Sequence, residues 1–167
     1  RFYHAFRTDA ASPLRQPRIG VFTPRLAHDG RDLAAALATI LEIGDAEALQ
    51  AAVAMAFDGA RVEVSADDEA RFRVRLRQPG LLRPLDASEI SDGTLRFLCL
   101  LAALLSPRMP PLLALNEPGT SLHADVLPAL ASLIVRASER SQLWVVTHSD
   151  LLARTVSRPS GVAPFAL

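Results

Sequence analysis

Apolar positions recur at helical spacing through residues 29–57, DGRDLAAALATILEIGDAEALQAAVAMAF: Leu33, Leu37, Ile40 and Leu41 form one stripe, and Leu49, Val53 and Phe57 a second. Gly44 ends the first run and Asp45 is placed to cap the second, which predicts a helical hairpin. The period then drops to two. In ARVEVSADDEARFRVRLRQPG, Val62 and Val64 share a face with Phe72, Val74 and Leu76, while Arg61, Glu63, Arg71, Arg73, Arg75 and Arg77 share the other. The Asp67-Asp68-Glu69 turn between the two runs predicts an antiparallel β-hairpin. Ahead of these elements, Pro13, Pro17 and Pro24 make residues 11–25 an irregular connection or an extended edge. The opening RFYHAF reads as the middle of a strand.

After Pro84 helix and strand patterns alternate. ASEISDGTLRFLCLLAALLSP predicts a helix over residues 92–105, capped by Ser91 and stopped by Pro107. Residues 112–115, LLAL, form a short, fully apolar strand. A second helix is predicted over residues 124–138, with Leu127, Leu130, Ala131 and Ile134 on one face and Pro128 in the first turn, where proline costs least. Residues 143–146, LWVV, are a further strand, expected to be buried, with His148 just past its end. Helix, strand, helix, strand is the pattern of a right-handed parallel crossover whose site lies at the strand carboxyl ends. The predicted fold class is α/β: parallel strands with flanking helices, preceded by the helical hairpin and the β-hairpin. Residues 158–167 carry no strand-like pattern and are expected to be a frayed or truncated tail.

Composition narrows the chemistry. A chain of 167 residues, 50% hydrophobic, builds one core of ordinary domain size. Formal net charge is zero, so no global basic field draws it to nucleic acid or an anionic membrane. Locally, Arg71, Arg73, Arg75 and Arg77 on one strand face either grip nucleic-acid phosphates or form a solvated face paired with Glu63 and the acidic turn. The longest apolar run, residues 97–105, is about half of the roughly 18 residues that suggest a membrane span, so a soluble protein is expected. Cys99 is the only cysteine and lies in that run; it forms no internal disulfide, reads as a small core residue, and fits a reducing, cytoplasmic setting. All 18 basic residues are arginine. Without lysine the phosphate-binding loop G-x-x-x-x-G-K-[ST] is excluded from these residues, because its lysine reaches the β and γ phosphates.

Taken in order, EISDGTLRFL, LLALNEPGTSLH and LWVVTHSD resemble the signature loop, the Walker B strand with D-loop, and the switch histidine of nucleotide-binding heads of the ABC superclass. In particular they are similar to RecF-like, predicted AAA-family ATPases, in which the phrase Leu26-Ala27-His28-Asp29-Gly30-Arg31-Asp32-Leu33 is also familiar. The resemblance is specific over residues 86–152 and weaker before them. It implies a partial P-loop NTPase of the ABC-head type: residues 1–167 as the C-terminal portion of one ATPase domain, with residues 1–85 a helical and hairpin subregion, 86–157 the motif region and 158–167 the tail. The implied activity is ATP binding and hydrolysis with Mg²⁺ in a head-to-tail homodimer.

The residues bear this chemistry. Ser91 offers a hydroxyl, and the amides of Asp92, Gly93 and Thr94 are unpaired donors at a helix N-terminus, an arrangement suited to a γ-phosphate held by the opposite subunit. Gly93 lets backbone approach that phosphate. Glu117, after a buried strand, is the expected base for the attacking water, and His148 the expected contact to the γ-phosphate and that water. The bland alternatives are a strand-end carboxylate and a helix cap. Ser121 and His123 lie in the D-loop-like segment that would face the partner, or simply open a helix. Asn116 stands where an acid usually holds a water of the Mg²⁺ shell; an amide keeps the hydrogen bond, loses the charge and weakens the metal. Gly119 replaces a glutamate common in the pattern. The resemblance places the P-loop strand, and the glutamine-bearing loop, upstream of Arg1, with the P-loop strand beside residues 143–146. Two alternatives stay open: a module that takes its P-loop from a partner chain, and a non-catalytic remnant.

Overall fold

The computed structural model describes residues 1–165. Its elements are β1 (Phe2–Tyr3), β2 (Arg18–Ile19), α1 (Leu33–Ile43), α2 (Ala46–Ala56), β3 (Arg61–Ala66), β4 (Arg71–Arg77), β5 (Leu85–Asp86), α3 (Asp92–Leu104), β6 (Leu112–Asn116), α4 (Leu127–Ser138), β7 (Gln142–Val146) and α5 (Asp150–Ser160), with single 3₁₀ turns at Pro13–Arg15 and Ala124–Val126. The α/β class holds, in two sheets. One is parallel, in the order β1-β6-β7. The other is antiparallel and centred on β4, with β3 on one edge and β2 and β5 on the other.

Local chemistry explains most boundaries. Asp45 caps α2 by accepting from the Ala48 amide at 2.8 Å, and Ser91 caps α3 by accepting from Thr94 at 3.1 Å. The alternation across β3 and β4 is kept residue by residue: Val62 faces Leu76 and Val64 faces Val74 on the core side, and Arg61 faces Arg77 and Glu63 faces Arg75 on the other. Gln50 of α2 clamps β3 through both its amide groups to the Val62 backbone, at 2.8 and 3.1 Å. Phe57, the residue after α2, meets Phe97 of α3 edge to face with centroids 5.4 Å apart, so the helical hairpin and the crossover share one core. In the Leu26 to Leu33 phrase both leucines are fully buried. The left-handed Gly30 (φ +76°) passes so close to Cys99 and Phe6 that an added Cβ would stand 3.0 and 3.1 Å from them. Cys99 is buried in that core, and burial pushes its thiol up. Among the described residues no helix is long and apolar enough to cross a membrane.

Three expectations need correction. Residues 124–126 form a 3₁₀ turn, so the α-helix starts later, at Leu127. The tail is partly structured: α5 runs to Ser160, accommodates Pro159 in its last turn and ends on Gly161 in the left-handed conformation (φ 68°); Ala166 and Leu167 lie outside the described residues. The strand over residues 143–146 is not buried. Trp144 is 60% and Val146 51% exposed, because they share with Phe2, Leu112 and Ala114 the sheet face opposite the buried Tyr3, Leu113 and Leu115. Parallel sheets are ordinarily covered on both faces. Here one face of the sheet, and the outer edge of β7, are open among the described residues.

Candidate functional site

β6 and β7 end level, with Asn116 in register with Val146, and the next step of the ladder is a bond from the Glu117 amide to the Val146 carbonyl at 2.8 Å. Glu117 itself turns into the left-handed region (φ 48°), an unfavourable conformation for a residue with a side chain. Three hydrogen bonds hold it there, with the His148 ring nearby. The His148 amide donates to Oε1 at 2.9 Å, Thr147 Oγ1 lies 3.4 Å from Oε2, the imidazole Nε2 of His148 is 3.6 Å from Oε1, and Arg96 of α3 donates to the Glu117 carbonyl at 3.1 Å. Glu117 is thus carried by β6, its carboxylate oriented by the loop after β7, and its backbone fixed by α3. The His148 ring is almost wholly exposed, while its amide does the holding.

Arg96 is a participant that helical periodicity does not reveal. Its Nε is buried without a partner, and burial pulls the guanidinium below the ordinary arginine value. Of its donors, one terminal N–H serves the Glu117 turn. His4 is a second addition: it follows β1, and its Nδ1 lies 2.7 Å from Asn116 Nδ2. With the amide nitrogen donating to the ring, Asn116 keeps its oxygen free. The signal for His4 was present in RFYHAF, but only the β1–β6 pairing places it beside Asn116.

The phosphate-loop residues meet this cluster from α3. Ser91 Oγ accepts from the Thr94 amide and lies 2.9 Å from Thr94 Oγ1, so the Thr94 amide, expected to be unpaired, is taken by the cap, and the hydroxyls converge with the amides of Asp92 and Gly93 at one helix start. The space that Gly93 leaves is filled from within the chain: a Cβ there would stand 2.7 Å from the Ser121 carbonyl oxygen. The glycine thus also serves close packing of α3 on the segment after Glu117. Ser121 takes a left-handed conformation (φ 65°) in that contact. His123 caps the 3₁₀ turn, and its ring engages Asp125 at 3.2 Å rather than Glu117 or His148. A Cβ added at Gly119 would meet Leu152 and Leu127 at ordinary contact distance.

The arginine face of β4 is paired throughout. Arg71 reaches Glu69, Arg73 reaches Asp67 at 3.5 Å, Arg75 reaches Asp86 at 2.9 Å and Arg77 reaches Glu63 at 2.6 Å. Each guanidinium faces a carboxylate, as the solvated-face reading expects. Among the described residues no group of three or more histidine, cysteine or acidic side chains is arranged to hold a metal ion.

No curated protein matches the chain. Among solved structures it is similar to one from the structural biochemistry of ATP-driven dimerization and DNA-stimulated activation of SMC ATPases, at 16% identity and a TM-score of 0.55, covering 65% of this chain and 70% of that one. It is also similar to the SMC head domain of Thermotoga maritima (19% identity, TM-score 0.51, 74% of this chain and 43% of that). A third likeness is to the SMC head of Pyrococcus furiosus with its coiled coil, bound to the C-terminal domain of ScpA (16%, TM-score 0.53, 65% and 29%). The chain therefore spans less than half the length of the last two, and at these identities the likeness is one of fold, that of SMC head domains. Residues 1–154 match the family model described as "AAA domain, putative AbiEii toxin, Type IV TA system", and the chain belongs to that family of ATPase domains.

Proposed function

We propose that this chain is the C-terminal portion of an ATPase head that binds ATP with Mg²⁺ and hydrolyses it in a head-to-tail homodimer. The observation that carries the reading is the Glu117 turn, a carboxylate delivered by a parallel strand, held in a strained conformation and oriented by the histidine loop after the neighbouring strand. Strained residues held by several contacts gather at functional sites, and the carboxyl ends of parallel strands are where such sites lie. In this reading Glu117 accepts a proton from water as the water oxygen attacks the γ-phosphorus and ADP leaves. The exposed His148 ring beside it contacts the same phosphate. The amides of Asp92 and Gly93, with the hydroxyls of Ser91 and Thr94, present donors to the nucleotide of the opposite subunit, and Ser121 and His123 face that subunit. The fold shared with a structure from work on ATP-driven dimerization of SMC ATPases supports the dimeric form.

Mg²⁺ fits this site only through water, since Asn116 offers one uncharged oxygen and, among the described residues, no cluster of ionisable ligands accompanies it. When bound, the ion neutralises phosphate charge. The Walker A loop lies outside these 167 residues, which contain no lysine. The open edge of β7 and the apolar face of Phe2, Leu112, Trp144 and Val146 suit a further strand and helix carrying that loop. The test is Glu117→Gln in the intact protein, P-loop segment included: ATP binding and ATP-driven dimerisation persist while hydrolysis falls by about 10² or more. Turnover at the wild-type rate would reject the assignment.

A further inference from the structure

The proline-rich stretch before α1 contains one deeply buried charge. Arg15, in the 3₁₀ turn Pro13–Arg15, has a side chain only 7% exposed. Its Nε–H donates to the carbonyls of Thr8 at 2.9 Å and Asp9 at 3.1 Å. One terminal nitrogen donates to the carbonyls of Ala87 at 2.7 Å and Ile90 at 2.8 Å, and the other pairs with the Asp92 carboxylate. Burying a guanidinium is costly unless its donors are met, and here the partners divide between two segments. Thr8 and Asp9 form the anchor, itself closed by the Ser12 amide on the Asp9 carbonyl and the Ala11 amide on the Asp9 carboxylate. Ala87, Ile90 and Asp92 bracket the Ser91 loop.

Asp92 is the element of that loop least suited to an anion. Its carboxylate projects from the first residue of α3, beside the amides of Gly93 and Thr94, and left unpaired it would repel a phosphate. We propose that Arg15 is the positioning residue of the phosphate loop: it holds the backbone of residues 87–92 in place and takes up the Asp92 charge, so that a nucleotide triphosphate from the opposite subunit meets amides and hydroxyls rather than a carboxylate. This rests on the reading of Ser91 to Thr94 given above.

The test uses the intact protein with Glu117→Gln to stop turnover, and measures two quantities by sedimentation and nucleotide titration: the ATP concentration for half-maximal dimerisation, and ATP affinity of the monomer. Arg15→Gln is expected to raise the dimerisation midpoint tenfold or more with monomer affinity unchanged, and adding Asp92→Asn to recover at least threefold of that loss. A midpoint within twofold of the parent, or a double variant no better than the single one, overturns the proposal. Should Arg15→Gln fail to fold, as judged by loss of a cooperative melt, Asp92→Asn alone decides: a lowered midpoint supports the proposal, and a midpoint held or raised overturns it. Ser91→Arg, which fills the loop, separates the two levels. If it too leaves dimerisation unchanged, the phosphate-loop reading fails. If it abolishes dimerisation while Arg15→Gln does not, only the role of Arg15 falls.

Discussion

Gly93→Ala tests the packing of α3 against the segment after Glu117, because its sign is opposite to the usual one. Glycine to alanine inside a helix ordinarily stabilises, by up to about 1 kcal/mol. At position 93 the new methyl group would sit 2.7 Å from the Ser121 carbonyl oxygen, where comfortable contact needs roughly 3.5 Å. The obstacle is backbone, and Ser121 is already confined to a left-handed conformation, so relief must come from moving the start of α3. Overpacking of this kind costs about 1–3 kcal/mol. The helix-propensity gain is small at the second helical position, so the net effect is a loss of about 1–2 kcal/mol. For a chain of this size that lowers Tm by roughly 3–6 °C. Differential scanning calorimetry on wild type and variant reads the shift directly. Gly119→Ala serves as control, since its Cβ would meet only the Leu152 and Leu127 methyls, at 3.4 and 3.5 Å, and its Tm is expected within about 2 °C of wild type. A Gly93→Ala protein as stable as wild type, or more so, would refute the claim that the glycine is there for Ser121.

Two further outcomes follow from the same geometry. Asn116→Asp in the intact protein should lower the Mg²⁺ concentration for half-maximal hydrolysis by roughly fivefold, as expected for one added charge near a hydrated ion at a partly screened site, with a smaller change in maximal rate; hydrolysis found only in the variant, at any Mg²⁺ concentration, would mean the wild-type site is dead. Glu89 accepts two bonds from Arg83, both at 2.7 Å, and one from the Asp86 amide, and its carboxyl is lowered to about 2. Its pairing therefore contributes fully above the ordinary carboxylate range, and that contribution is lost progressively as pH falls from about 4.5 to about 2; an NMR titration midpoint near 4.5 for this residue would show that the fork with Arg83 does not form.

What the sequence showed and what it hid divide along contact range. The β3–β4 alternation, the α1–α2 hairpin, the Ser91 cap and the strand before Glu117 are local patterns, and each was legible because a period or a cap residue encodes it. Arg15 was not, because its partners around the Ser91 loop lie more than seventy residues away and its own neighbourhood reads as a proline-rich connection. Arg96 hid for a similar reason: on an apolar helix a lone arginine reads as the solvent position, whereas β6 brings the Glu117 carbonyl to it. The exposure of β7 was misread because an apolar run says that a strand is meant to be covered, not what covers it. The end of α5 was missed because proline suppresses a helical reading, yet in a last turn it forfeits one hydrogen bond only.

The arginine face of β4 bears on how the hairpin finds its pairing. A slip of one residue between β3 and β4 would carry Val62 and Val64 to solvent and is strongly disfavoured. A slip of two preserves the faces, and because β4 places an arginine at every second position, Glu63 would still meet one. The charge ladder is therefore degenerate with respect to such shifts, and alignment must be imposed from its ends. At one end Asp67 takes the amides of Glu69 and Arg71 on its carboxylate, and the Ala70 amide on its carbonyl, with Ala70 in a left-handed conformation. At the other, Asp86 of β5 meets Arg75. Lengthening the turn by two residues would thus leave a hairpin with intact faces and satisfied charges but several competing alignments, a loss of uniqueness rather than of attraction.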